Sequence, residues 1–433
     1  MQSALALRKA FKAFIITIPF DSFPIIGTSV YRPLSVIPLI AIFLVSVHTK
    51  KTISLKKTTA IVFLIALSTT FIKSFSFNDY GGAIKFTVEV VFILISIISI
   101  QYTFRYYDSR NLFFSDLRKA STISIITIFI ISYIQLFSRF LPTLQPFAEF
   151  INSIVSYRYD ISRVQFLSGE PSMGVRMLVF MLCLNFISNN GRVPKLFLFL
   201  SSMLILFSGS TFGILFVLLF VAIYLVLTIN NTYRLFKNTI VFLLFSTILI
   251  FITLNISPYL SPYAQSKISK IFEITESLNV TTIVSISKFD GSLFLRLFNP
   301  IIGLMIFWDN FLLGVGGENF SILYMDYVQK YFPYASKHDT IFNHYKYGLD
   351  ITPKSFYSKI LSEFGVIGAL VFLNYAIKAF NESKKDKIFK LLFAFLIALM
   401  INYDSYIYLP LIFGYLLLVN NNKIGEMSKQ RAS

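Results

Sequence analysis

The chain has 433 residues, of which 55% are hydrophobic and only 14% charged, with a formal net charge of +18. A soluble domain carries about a quarter charged residues, so this composition is that of a membrane protein. The positive charge does not signal nucleic acid, because Lys and Arg cluster in short segments between apolar runs, and the single cysteine, Cys183, excludes an internal disulfide or a thiolate metal cluster.

A spanning helix needs about 20 apolar residues at ~1.5 Å each. About twelve runs approach this requirement, at 13–29, 33–49, 58–74, 83–102, 120–137, 172–189, 195–209, 210–229, 239–256, 354–377, 388–403 and 407–421. The first follows Arg8, Lys9 and Lys12 with no small-x-small cleavage site after it, which reads as an uncleaved helix with a cytoplasmic start. The unbroken stretch from 195 to 229 is divided at Ser208-Gly209-Ser210.

Basic residues then fix the orientation. Lys50, Lys51, Lys56 and Lys57, then Arg105, Arg110, Arg118 and Lys119, then Arg192, Lys195, Arg234 and Lys237 fall on one side. So do Lys378, Lys384, Lys385, Lys387 and Lys390, and Lys423, Lys429 and Arg431 in the tail. The other side carries few, such as Arg32 and Lys73. This asymmetry places both termini in the cytoplasm of a multi-pass inner-membrane protein. The whole chain, 1–433, then reads as one all-α integral membrane domain. Two long segments interrupt it on the outer side, 138–171 and 257–353, the second lying between the ninth and tenth helices as a helical cap. No internal relation between the halves appears, which disfavours a symmetric carrier such as a flippase.

Several residues could carry chemistry. Arg163 and Glu170 lie in Arg163-Val-Gln-Phe-Leu-Ser-Gly-Glu170-Pro171-Ser172. Pro171 suits the first turn of a helix, so Glu170 sits at a helix N-terminus, where it reads either as a capping carboxylate or as a functional acid. Arg176 lies one to two turns inside the same apolar helix, where a charge needs a polar cavity or a partner; the alternative is a snorkelling side chain. Arg296 precedes Asn299-Pro300. His338 and His344 are the outer-side histidines, poised as bases near neutral pH, and with His48 they show no metal-ligand spacing. Lys354 and Lys359 open the tenth helix. Lys85 and Glu89, at i, i+4, read as a mutually neutralising pair; Asp21 in the first helix and Asp404 near the end of the eleventh are further buried-charge candidates. Arginines meeting at a bilayer surface suit a phosphate or diphosphate, because guanidinium matches phosphate oxygens bidentately. The sequence offers no DxD-type pair, and no metal or cofactor is expected.

Four motifs carry a family resemblance. They are Arg163 followed after ten residues by Gly174; Phe207-Ser208-Gly209-Ser210-Thr211; Asn310-Phe-Leu-Leu-Gly314-Val-Gly316-Gly317-Glu-Asn-Phe320, near the pattern "nPllGvGxgnf"; and Leu361-Ser-Glu363-Phe-Gly365-Val-Ile-Gly368, near "laelGiiG". In this order they resemble the Wzy-type O-antigen polymerases, within the superfamily that includes the O-antigen ligases. The resemblance implies a GT-C-like glycosyltransferase of lipopolysaccharide biosynthesis that joins oligosaccharides linked to undecaprenyl diphosphate on the periplasmic face. Membrane lipid and a chain-length regulator protein are the other implied partners. It also implicates the arginines of the two outer segments, which here are Arg163 and Arg296; these, with Arg176 and Lys354, are expected to hold the donor, and Glu170, His338 or His344 to deprotonate the acceptor. Ligases carry a His-Asn pair where this chain has Lys354-Ser355, which tilts the implied reaction from ligase toward polymerase.

Overall fold

The computed structural model describes residues 2–22, 33–48, 57–155, 164–229, 237, 240, 291–333, 339–346 and 351–424. They form helices, with no extended strand among the described residues. In chain order these are α1 (Gln2–Thr17), α2 (Val36–His48), α3 (Lys57–Phe77), α4 (Gly81–Tyr106), α5 (Arg110–Phe137), α6 (Gln145–Val155), α7 (Pro171–Ser188), α8 (Lys195–Phe207) and α9 (Thr211–Leu227). They continue as α10 (Gly291–Asp309), α11 (Phe320–Tyr331), α12 (Asp339–Lys346), α13 (Phe356–Lys385), α14 (Lys387–Asn402) and α15 (Leu409–Asn420). The helix expected at 239–256 lies, residue 240 apart, outside the described residues. Among the described residues, α3, α4, α5, α7 and α13 are long and apolar enough to cross a membrane, and α2, α8, α9 and α14 are shorter apolar helices.

Local sequence explains several boundaries. Ser109 caps α5 by accepting from Leu112 N at 3.1 Å, and Asp386 caps α14 by accepting from Ile388 N at 2.9 Å; each such cap contributes about 1 kcal/mol. The division of 195–229 falls where expected. Gly209 takes φ +64°, a left-handed conformation that suits glycine, and Ser210 caps α9 by accepting from Gly213 N at 3.0 Å.

The first helix departs from its expected place. An apolar window puts it at 13–29, but α1 runs Gln2–Thr17. Pro19 removes the next ladder donor, and the charge that delayed the expected start is accommodated by α5. Arg8 Nε donates to Asp116 Oδ2 at 2.8 Å and Arg8 Nη2 to Asp116 Oδ1 at 3.2 Å, while Tyr107 Oη donates to the same carboxylate at 3.0 Å. Asp21 therefore lies beyond the first helix, not within it.

Helix α7 is the axis of the bundle. Its most apolar stretch is 83% buried, against 11% for α3, so α7 is enclosed by protein and α3 faces the surroundings. It packs against α5, α9 and α14. A second, smaller apolar cluster joins α10 and α11 through Phe294, Phe298, Ile302, Ile306 and Tyr324, and α10 leans on α13.

That lean is locked by a backbone exchange. Gly365 breaks α13 with φ 61° and ψ −156°, a region essentially restricted to glycine. An unbroken helix would bond Val366 N to Ser362 O and Ile367 N to Glu363 O. Instead Val366 N donates to Phe311 O at 2.8 Å and Ile367 N to Leu312 O at 3.3 Å, while Val315 N donates to Ser362 O at 2.9 Å and Gly316 N to Glu363 O at 2.8 Å. The loop after α10 thus enters the break and satisfies all four groups. A Cβ on Gly314 would stand 2.3 Å from the Glu363 carbonyl carbon, and one on Gly365 would stand 2.5 Å from that of Leu312. The third and fourth sequence motifs are the two halves of this one joint.

Candidate functional site

The segment entering α7 is held from three sides. Buried Gln135, near the end of α5, accepts from Gln165 N at 2.9 Å and Phe166 N at 3.0 Å, and donates to Phe166 O at 2.9 Å. Phe166 adopts φ 62°, unusual for a bulky residue, and its ring lies against Gly174, where a Cβ would come within 2.4 Å of Phe166 Cδ2. This contact accounts for the glycine of the first motif. From beyond α1, Asp21 Oδ1 accepts from Ser168 Oγ at 2.6 Å, and Ser22 Oγ accepts from Gly169 N at 2.7 Å. Burial pushes the Asp21 carboxyl up to about 7, although the hydroxyls of Ser168 and Ser22 work against the shift.

Glu170 follows as the N-cap residue of α7, but its side chain makes no capping bond. The carboxylate faces α10 instead, where Arg296 Nη2 pairs with Glu170 Oε2 at 3.2 Å. The Arg296 guanidinium also lies over the Phe212 ring, 4.2 Å from its centroid. Phe212 is in the first turn of α9, so the Ser208-Gly209-Ser210 turn positions it. Gly213 brings α9 against α7, since a Cβ there would meet Val175 Cγ2 at 2.8 Å. Two helix N-termini therefore converge on Arg296, and each adds positive potential for an anion.

Arg176 lies deeper on α7 and is 1% exposed. Its guanidinium stands 5.5 Å from the Tyr403 ring centroid, and Tyr403 packs on Tyr408 at 4.2 Å. Its Nε and Nη2 make no hydrogen bond among the described residues, and neither does Ser172 Oγ one turn earlier on the same helix face. A snorkelling arginine would reach the surface; this one is enclosed with unused donors.

The other expected site residues fall elsewhere. Arg163 and His338 lie outside the described residues, as does the side chain of His344, although its backbone belongs to α12. Lys354 adopts φ 62°, and its backbone N donates to Asp404 Oδ2 at 2.6 Å. The same segment is tied to α10 one turn beyond Arg296, because Asn299 Nδ2 donates to Thr352 O at 2.8 Å. Arg139 was not singled out by sequence; its Nη1 donates to Phe207 O at 3.3 Å, at the turn leading to Phe212.

Lys85 makes its salt bridge to Glu318 and not to Glu89, four residues on. Lys85 Nζ pairs with Glu318 Oε2 at 2.7 Å, and Glu318 Oε1 also accepts from the buried Lys359. Lys359 lies 4.3 Å from the Tyr406 ring centroid, and Tyr406 Oη donates to Glu363 Oε2 at 2.8 Å. Burial alone would raise the Glu318 carboxyl, but the ammonium groups of Lys359 and Lys85 hold it down to about 2. This cluster sits beside the glycine joint and ties α4, α13 and the loop before α11 together. The signal was present in the sequence as Lys359 and Glu363, two charges one turn apart in an apolar helix.

Comparison with known proteins adds one match. Residues 196–373 match the family model Wzy_C, described as O-antigen ligase, consistent with the O-antigen polymerase/ligase superfamily. That range contains Phe212, Arg296, the glycine joint and Lys359. No curated protein matches the chain.

Proposed function

Starting from a chain that carries an O-antigen ligase-type domain at residues 196–373, we propose that it is a GT-C-like glycosyltransferase of about twelve spans that polymerises lipid-linked oligosaccharides at the outer face of the inner membrane. The donor glycan is carried on undecaprenyl diphosphate. The acceptor hydroxyl attacks the anomeric carbon, the bond from that carbon to the diphosphate oxygen breaks, and undecaprenyl diphosphate leaves.

The observation that carries this reading is the Glu170–Arg296 pair at the mouth of α7, with Arg176 enclosed behind it. Arg296 and Arg176, with Arg163 and Lys354, neutralise the charge that grows on the diphosphate as the bond breaks. A diphosphate competes with Glu170 for Arg296. Donor binding therefore releases the Glu170 carboxylate, which takes the acceptor proton; His338 and His344 are the alternative bases. An apolar cavity of about 230 Å³ between α3, α4 and α13, lined by Val90, Ile360, Phe364 and Phe372, suits a hydrocarbon carrier and supports a lipid-linked substrate.

A second reading, ligation of finished polymer to lipid A-core, is favoured by the family description itself. Surface glycan from a host with the gene deleted and then restored separates the two on a gel. Polymerase function predicts loss of the ladder with a single repeat still on the core. Loss of every repeat points instead to the ligase or to a flippase of the lipid-linked repeat.

A further inference from the structure

We propose that the opposite end of the bundle carries a binding site for the phosphodiester headgroup of an anionic phospholipid. A polar cavity of about 370 Å³ opens between the start of α5, the end of α7 and the start of α14. From α5 it takes Arg110, Asn111, Phe114, Ser115 and Arg118, whose spacing is one continuous helix face. Ser188 contributes from the end of α7 and Asp386 from the cap preceding α14. Helix α7 has 18 residues, about 27 Å at 1.5 Å each, so this cavity lies one hydrocarbon-core thickness from Glu170. It is therefore level with the other headgroup layer, and the bias of basic residues makes that layer the cytoplasmic one.

The chemistry selects an anion. Arg110 and Arg118 make no salt bridge among the described residues. Among the described residues Arg118 Nη1 donates to Asn189 Oδ1, at 3.2 Å, and Arg110 lies 5.5 Å from the Phe114 ring centroid. The one lining carboxylate, Asp386, caps α14 by accepting from Ile388 N, and the two guanidiniums outnumber it, so the lining keeps a net positive charge. The start of α5 adds its own positive end. Basic pockets between spanning helices at the cytoplasmic face hold acidic lipid headgroups, with about 1 kcal/mol per Lys or Arg. The site shares no residue with the Glu170–Arg296 region and stands whether or not the proposed reaction is right.

Native mass spectrometry of the full chain in detergent tests it, with phosphatidylglycerol, phosphatidylethanolamine and inorganic phosphate as separate probes. The wild type retains phosphatidylglycerol over phosphatidylethanolamine, and Arg110→Ala/Arg118→Ala retains it roughly 30-fold more weakly. Lys119→Ala, exposed beside the cavity but not lining it, leaves retention unchanged. A salt titration of the wild type gives a check that needs no variant: the preference for phosphatidylglycerol declines as salt rises. Equal retention of both lipids, retention unchanged by the double substitution, a preference insensitive to salt, or adducts with inorganic phosphate alone would each overturn the assignment.

Discussion

Arg176 and Lys359 are both enclosed cations on apolar helices, and their surroundings are opposite. Lys359 meets Glu318 on one side and the Tyr406 ring on the other, with Glu363 held by the same tyrosine. Arg176 faces an aromatic ring and leaves Nε and Nη2 unused. The first arrangement spends its charge on holding helices together; the second keeps hydrogen-bonding capacity for something that arrives. A buried charge with partners is a fastener, and one without them is a receptor.

Lys359→Met puts the largest strain on this contrast. It leaves Glu318 and Glu363 enclosed without their shared cation, and stability falls by about 3–5 kcal/mol, read as a lower unfolding temperature in detergent. Adding Glu318→Gln restores part of the loss. An unchanged transition for the single variant would mean the cluster is not a fastener.

The converse holds for the receptor side. Arg176→Met and Arg296→Ala keep the unfolding temperature near that of the wild type, while glycan transfer drops about 100- to 1,000-fold, the effect of removing a donor to developing charge. If Arg176→Met unfolds the protein as readily as Lys359→Met does, the two cations are of one kind.

Gly365→Ala has a smaller, backbone-level effect. The φ and ψ of that residue alone cost a residue with a side chain about 1–3 kcal/mol, and the new Cβ also presses on Leu312. The loss is in stability and is seen in the same thermal scan. A variant as stable as the wild type would remove the joint from the account.

Asp21→Asn sharpens the comparison most gently. The folded carboxyl is raised to about 7 from its ordinary value near 3.8, so between these values the folded chain binds more protons than the unfolded one. The contribution of Asp21 is then fully present at low pH and declines as pH rises toward 7. The asparagine variant lacks that slope, and its melting temperature gains on the wild type across the window and levels off above it. Parallel melting curves across that range would remove the effect of Asp21 burial.

These contrasts were unevenly legible in the sequence. Ser208-Gly209-Ser210 announced a helix break because a left-handed glycine and a serine cap are local devices. Arg176 stood out because a charge inside an apolar run is itself the signal, and Pro171 fixed where Glu170 would sit. The partner of Glu170 was not legible: capping geometry is local, whereas Arg296 arrives from another helix. Lys85 and Glu89 misled for the same reason, since i, i+4 spacing does not register a carboxylate brought in by a distant loop. The position of α1 was missed because an apolar window counts Arg8 as an interruption, while the folded chain answers it with Asp116. The resemblance in the glycine motifs was visible, but not that Gly314 and Gly365 face each other.

The broken helix α13 also constrains how the chain is assembled. Before the loop after α10 is in place, the break would carry two open N–H groups and two open carbonyls, each costing several kcal/mol in hydrocarbon. The ribosome delivers that loop ahead of α13, because synthesis runs from the N-terminus. The loop waits as a template, and α13 can settle at full depth only by docking onto it. Insertion of this helix is thus a step of tertiary folding, and a chain in which α10 is misplaced would stall with α13 half-seated at the membrane surface.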